Sequence, residues 1–206
     1  AEAAGELVVP RLGNRSAREV VELLNLLGSV GFYAGHAATA VDFLLGRDAG
    51  EALRVRGHLH ELKAAAFRRE AEAVRREGLG VVGRFQWVDV KDRFRPMGVK
   101  AIGLFLEQLV DQGLSAPDRY LIGFQHLPAE MPGLGRLDLS LTKISARVPP
   151  ALREAIQQGG LADFMTLIPR AAASVQGAAD GCHRFAAAAI IAQGREMEFL
   201  QALEQA

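Results

Sequence analysis

The heptapeptide TKISARV, residues 142–148, sets Lys143, Ser145 and Arg147 in alternation with Ile144 and Ala146. On an extended strand successive side chains point to opposite faces, so the ammonium, the hydroxyl and the guanidinium share one side. Such a trio suits a phosphate, because arginine supplies a bidentate fork and lysine a point charge. A plain solvent-facing strand carrying basic residues has the same pattern. A second stretch, GCHRFAAAAII over residues 181–191, sets Gly181, His183 and Arg184 against a run of alanines. Glycine lets a ligand come close to the backbone, and both polar side chains can donate hydrogen bonds. The alanine run reads as a helix beginning at Ala186–Ala189, whose leading amides would add dipolar attraction for an anion. The alternative is a glycine turn with Cys182 and Phe185 packed inward. In a third stretch, LLNLLGSVG, Asn25 and Gly28 interrupt an apolar run; taken alone it reads as a helix end.

Other chemistries lack their residues. No Walker-type phosphate loop, no Gly-x-Ser-x-Gly elbow and no His-Glu-x-x-His helix occurs in the sequence. GLGRLD, residues 133–138, precedes a strand rather than a helix and reads as a loop. His58 and His60 lie two apart on a predicted helix and so face different ways, His36 stands alone, and the acidic residues include no Asp-x-Asp pair. No catalytic residue, metal ligand or cofactor is therefore assigned to this chain.

The elements that must position these groups follow from periodicity. Ser16 and Glu19 have the spacing of a capping box, and Val20, Leu23, Leu24 and Leu27 form an apolar stripe behind them. HAATAVDFLLG continues as helix to Gly46. A long amphipathic helix runs from Asp48 to about Arg76, with Val55, Leu59, Leu62 and Ala66 on one face. After Gly78 the composition changes. LGVVGRFQWVDV and RYLIGFQHL read as strands, with the helix MGVKAIGLFLEQLVDQG between them. GRLDLSLTKISARV reads as a half-buried strand with Leu137, Leu139 and Leu141 on one side. Helices follow at PALREAIQQGG, LADFMTLIPRAAASV and REMEFLQALEQA. The expected class is α/β: a helical segment with a long connector helix over residues 1–79, then an α/β domain over 80–206 whose central sheet is covered by helices.

With 206 residues, half of them hydrophobic, the chain can bury one substantial core or two smaller ones. Its 24 basic residues balance 24 acidic ones, so any nucleic-acid site must be a local patch rather than a global field. One cysteine excludes an intramolecular disulfide and a cysteine-rich zinc site, and fits a reducing, cytoplasmic setting. No apolar run is long enough to span a bilayer and no signal-peptide pattern opens the chain, so no membrane partner is expected. The sequence begins at alanine, which fits a portion of a longer protein.

In this order the motifs resemble the C-terminal, DHHA1-containing part of RecJ-like DHH-family phosphoesterases. GCHRFAAA is similar to the family's Gly-Gly-His-x-x-Ala-Ala-Gly, with Cys182 and Ala188 in place of glycines. Ser145 and Arg147 match its Ser-x-Arg. Asn25 and Gly28 match its Asn-x-x-Gly-Arg, with Ser29 replacing the arginine. PMGVKAIGLFLEQL resembles the helix that opens the family's DHHA1 domain, and the long helix stands where the family has its interdomain connector. The resemblance implies a DHHA1-like fold, phosphate contacts from Lys143, Ser145, Arg147, Gly181, His183 and Arg184, and weak binding of single-stranded DNA. It also implies that Cys182 and Ala188 put side chains where a substrate comes close. The DHH motif and its metal-binding aspartates are absent, so the resemblance implies manganese or magnesium only where a DHH domain accompanies this chain. Two readings follow. One is an archaeal-type, nuclease-inactive scaffold that docks on the GINS complex beside the replicative helicase. The other is the substrate-binding half of an active single-strand 5′–3′ exonuclease or phosphodiesterase whose DHH domain lies elsewhere.

Overall fold

The computed structural model describes residues 7–137 and 139–206; residues 1–6 and Asp138, the last residue of the GLGRLD stretch, lie outside this description. A short antiparallel pair, β1 (Val8–Val9) and β2 (Arg15–Ser16), leads into α1 (Ala17–Ser29). The capping box forms: Glu19 N–H donates to Ser16 Oγ at 3.2 Å, and Ser16 N–H donates to Glu19 Oε2 at 3.0 Å. A turn with Gly35 at φ 87° connects to α2 (Ala37–Leu44), which stops where Gly46 adopts φ 72°. α3 (Ala49–Glu77) is the long helix; its first turn is capped by Asp48, which accepts from Glu51 N–H at 2.9 Å. Leu59 and Ala66 are buried on it, with Val55 and Leu62 packed beside the same core.

The remaining elements are β3 (Gly80–Val82), β4 (Phe85–Asp89), α4 (Ala101–Asp111), β5 (Tyr120–His126), a small hairpin of β6 (Glu130–Met131) and β7 (Gly135–Arg136), β8 (Leu141–Arg147), α5 (Pro150–Gln157), α6 (Phe164–Ser174), β9 (Ala178–Cys182), β10 (Ala186–Ala192) and α7 (Glu196–Gln205). Six strands form the central sheet in the order β3-β4-β5-β8-β10-β9. Only β4 and β5 pair in parallel, joined by the crossover through α4; the other neighbours are antiparallel. The chain is thus a mixed α/β fold with a central six-stranded sheet and seven α-helices among the described residues.

Two cores sandwich the sheet. On one side Tyr120, Ile122, Phe124, Ile144, Ala146, Ala187, Ala189 and Ile191 meet Phe164 and Leu167 of α6 and Phe199 and Leu200 of α7. On the other, Ile102, Phe105, Leu106 and Leu109 of α4 join Leu121 and the buried residues of α1 and α3. This second cluster runs from Leu12 to Leu121, so the helical segment and the sheet-bearing segment share it. Buried Gln125 pins the start of α4 to β5: its Oε1 accepts from Ile102 N–H at 3.1 Å, and its Nε2 donates to the Gly98 carbonyl at 3.4 Å. Buried Glu70 of α3 accepts from Arg93 Nε at 2.9 Å, and the Arg69 guanidinium donates to the Arg93 carbonyl at 2.6 Å, which ties the loop before α4 to the long helix.

Three expectations are corrected. The alanine run is strand β10, not a helix, because it is laced between β8 and β9 and its odd-numbered members face a packed core. GCHRF is accordingly the end of β9 and a hairpin turn, closed by His183 N–H donating to the Ala186 carbonyl at 2.8 Å. The strand predicted to include Leu137 and Leu139 starts only at Leu141; those two leucines are exposed beyond the β6–β7 hairpin. LGVVGRFQWVDV is two strands, turned at Gly83, rather than one.

Gly123 of β5 has no room for a side chain. A Cβ there would lie 2.7 Å from Ile102 Cγ1 and 2.9 Å from Leu106 Cδ2, in a core without free volume. Gly123→Ala is expected to lose about 1–3 kcal/mol of stability through overpacking, read as a lowered urea midpoint with unchanged slope. An unchanged midpoint would show that α4 moves off the sheet without cost.

Candidate phosphate-binding cleft

β8 is hydrogen-bonded on both sides, to β5 and to β10. Its period of two sends Ile144 and Ala146 into the α6–α7 core and Lys143, Ser145 and Arg147 to the α4 side. There a cleft of about 420 Å³ opens. Its floor is β8, β10 and β9, one wall is the first turn of α4 with Val99, Lys100, Gly103 and Leu104, and the other is Asn25 and Ser29 from the end of α1. Lys143 and Ser145 are only 8 % and 6 % exposed, so this is not a solvent-facing strand face.

Small residues make the floor. Across the sheet Gly123 stands opposite Ser145, Ser145 opposite Ala188, and Ala188 opposite Gly181. At the β5 end α4 covers this row, while beyond Ser145 the row is left open as the cleft. Gly103 of α4 makes the junction possible. A Cβ there would meet Arg147 Nη2 at 2.8 Å and Ser145 Oγ at 3.0 Å. Arg147 Nη1 donates to Ser145 Oγ at 3.0 Å and to the Ala146 carbonyl at 2.9 Å. The α1 wall is held by the Gly98 N–H, which donates to the Ser29 carbonyl at 2.6 Å, and by the Ser29 hydroxyl, which donates to the Asn25 carbonyl.

Lys143, Ser145, Arg147, Gly181 and His183 therefore come together, although thirty-two residues separate the two motifs. Arg184 does not join them. Its side chain points toward the α6 side, where its Nε lies 3.7 Å from Asp163, the residue that caps α6. The strand geometry explains this, since His183 and Arg184 are neighbours and diverge at the hairpin. Cys182 is likewise outside the cleft, packed against the α6–α7 core with Phe185; of the two glycine replacements only Ala188 faces the site.

The sequence reading missed two carboxylates. Lys143 Nζ is ion-paired with Asp180 of β9, and Arg147 Nη2 lies 3.0 Å from Glu107 Oε1 of α4. Both acids are more than half exposed, whereas both cations lie beneath them. Glu107 stands one helical turn after Gly103, a spacing legible only once that glycine is known to face Arg147. Nothing local marks Asp180, whose partner is fixed by pairing across two strands. Lys100 and the His183 ring carry no such partner among the described residues and are exposed. Apolar surface from Val99, Leu104 and Ala186–Ala188 lines much of the remainder. The arrangement can accept an anion attached to an apolar or flat group. Among the described residues no group of three or more His, Cys, Asp or Glu side chains is placed to hold a metal ion. No helix is long and apolar enough to cross a membrane.

No family model matches the sequence, and no curated protein sequence matches it. Among solved structures the chain is similar to CDC45 from Entamoeba histolytica, at 9 % identity and a TM-score of 0.49 over 93 % of this chain and 37 % of that one. It is similar to the pGpG-specific phosphodiesterase PggH from Vibrio cholerae, at 12 % identity and a TM-score of 0.44 over 91 % and 59 %. It is also similar to the DHH domain of a member of the s1p family of ribosomal proteins, at 14 % identity and a TM-score of 0.45 over 80 % and 34 %. The chain spans between 34 % and 59 % of the length of these three proteins.

The environment of Cys182 has a measurable consequence. Burial raises its thiol pKa above the ordinary value, and the nearby Asp180 carboxylate pushes the same way against one backbone hydrogen bond. Only the thiolate is nucleophilic. Alkylation by iodoacetamide, followed by mass spectrometry across a pH series, should therefore turn on at higher pH in the folded protein than in the urea-unfolded chain. Equal midpoints would place Cys182 in open solvent.

Proposed function

We propose that the chain is a RecJ-like, DHHA1-type module that binds the phosphate of a nucleotide or single-stranded nucleic acid in the cleft, without hydrolysing it alone. The single observation that carries this reading is the convergence of Lys143, Ser145 and Arg147 with the Gly181–His183 hairpin in one cleft. A phosphate oxygen there would meet charge-assisted donors, with apolar walls beside them for a sugar or base. The two cations are already neutralised by Asp180 and Glu107, so a phosphate enters by exchange with a carboxylate, and affinity is modest. In the cell the module serves as a scaffold in DNA replication or repair, docked on a GINS or helicase partner. That partner rests on the motif-order resemblance alone.

Titration of a fluorescein-labelled single strand tests the binding half. Binding should weaken steeply with salt, because released counterions supply most of its free energy. Arg147→Ala should cost about 1–3 kcal/mol at low salt. A wild type that binds no better than this variant overturns the reading.

The same labelled strand, incubated with pure protein and manganese or magnesium, should stay intact. Degradation that persists through repurification and scales with protein would assign the chain a nuclease activity of its own.

A further inference from the structure

A second cavity, of about 430 Å³, lies between the turn after α1 and the β6–β7 hairpin, lined by Tyr33, Arg95, Pro96, Pro128, Glu130 and Arg136. Tyr33, Glu130 and Arg136 also line the neighbouring hollow over Gly133 and Gly135, so the two form one groove with the tyrosine in its wall. From its chemistry and position, we infer that this groove is a base-stacking subsite for the nucleotide next to the one whose phosphate sits in the cleft. The inference rests on the nucleic-acid reading above.

Three observations carry it. First, one segment borders both sites: Arg95 and Pro96 line the groove, and Val99 and Lys100 line the cleft. Between them Gly98 donates its N–H to the Ser29 carbonyl, and a Cβ on it would be 3.1 Å from that carbonyl oxygen and in ordinary contact, 3.7 Å, with Tyr33 Cε2. A strand leaving the cleft past exposed Lys100 reaches the groove lined by Arg95 and Tyr33. Second, the charge is available here. Lys143 and Arg147 are paired inside the cleft and Arg95 is paired with Asp92 at 2.9 Å, whereas Arg136 has no ion-pair partner among the described residues, and neither has Lys100. Lys100 at the crossing and Arg136 in the groove, the latter opposite Glu130 across the hairpin, are thus cations without an ion pair among the described residues, available to a second phosphate. Third, the groove offers the three groups a nucleotide uses: an aromatic ring for the base, a guanidinium for the phosphate and the Glu130 carboxylate for a base amino group. The two prolines stiffen its sides.

Length dependence tests it. Thymidine 5′-monophosphate should bind the cleft weakly, followed by chemical-shift titration at low salt, and an oligothymidylate of about eight nucleotides should bind more tightly. Tyr33→Leu should weaken the oligomer about 5- to 150-fold, the range for one lost stack, and leave the monophosphate unchanged. Tyr33→Trp should restore oligomer binding. Arg136→Ala, on the exposed hairpin, should weaken the oligomer and flatten its salt dependence without touching the fold. Oligomer affinity that is unchanged in both Tyr33→Leu and Arg136→Ala overturns the subsite. So does a loss confined to Lys63→Ala, because Lys63 lines a different cavity, bordered by Asn25 and Ser29, that neither Tyr33 nor Arg136 lines. If neither ligand binds the wild-type protein, the nucleic-acid reading itself fails and the subsite with it.

Discussion

The register of β8 governs both the stability of the fold and the composition of the site. Its residues Leu141–Arg147 are bonded to β5 on one side and β10 on the other, so the strand cannot slide without breaking two ladders. A slip by one residue would turn Ile144 and Ala146 into the cleft and drive Lys143, Ser145 and Arg147 into the aromatic core of α6 and α7. Unpaired charges cannot be buried there at tolerable cost. The hydrophobic pattern that stabilises the sheet is therefore the same pattern that places the polar trio.

Side-chain size then divides the polar face of the sheet. Over β5 the absent side chain of Gly123 lets Ile102 and Leu106 settle on the backbone, which brings α4 down onto the sheet. At the next step Gly103 lets the Arg147 guanidinium slide under the helix. Past Ser145, Ala188 and Gly181 keep the floor low with no helix above them, and the space that remains is the cleft. α1 closes it because Gly98 donates to the Ser29 carbonyl. A groove between the helical segment and the sheet follows from three glycines and one backbone hydrogen bond.

Much of this was legible in the sequence where the signal is local. The α1 capping box, the α3 stripe, the glycine stops and the β8 alternation depend on residues within a few positions of each other, and the structure has them where periodicity puts them. The Ala186–Ala189 run misled because alanine has the highest helix propensity, and propensity is a weak prior against tertiary context. Here the context demands small side chains: Ala187 and Ala189 pack inward, Ala188 lies beside Gly181, and the β-branched Ile190 and Ile191 continue the strand. The same strand geometry sends Arg184 away from His183, toward Asp163. Asp180 was not foreseen at all, because its contact with Lys143 requires the β9–β10–β8 order. That order is a property of the whole chain rather than of any segment.

Electrostatics sets what the cleft can bind. A buried lysine left unpaired is costly, so Asp180 stabilises Lys143, and Glu107 does the same for Arg147. Both carboxylates are more exposed than the cations they pair with, so water could take over their solvation if an anion displaced them. Such an exchange trades one ion pair for another, and its net gain is smaller than that of an anion entering a site with free cations. An otherwise neutral protein thereby avoids a permanent positive patch that would collect polyanions indiscriminately. Tight binding in this design requires contacts outside the exchange, from apolar walls, stacking and unpaired cations further along the ligand. Lys100 and Arg136, which have no ion pair among the described residues, and Tyr33, which lines the groove beside the hairpin, lie on the side where such contacts are available.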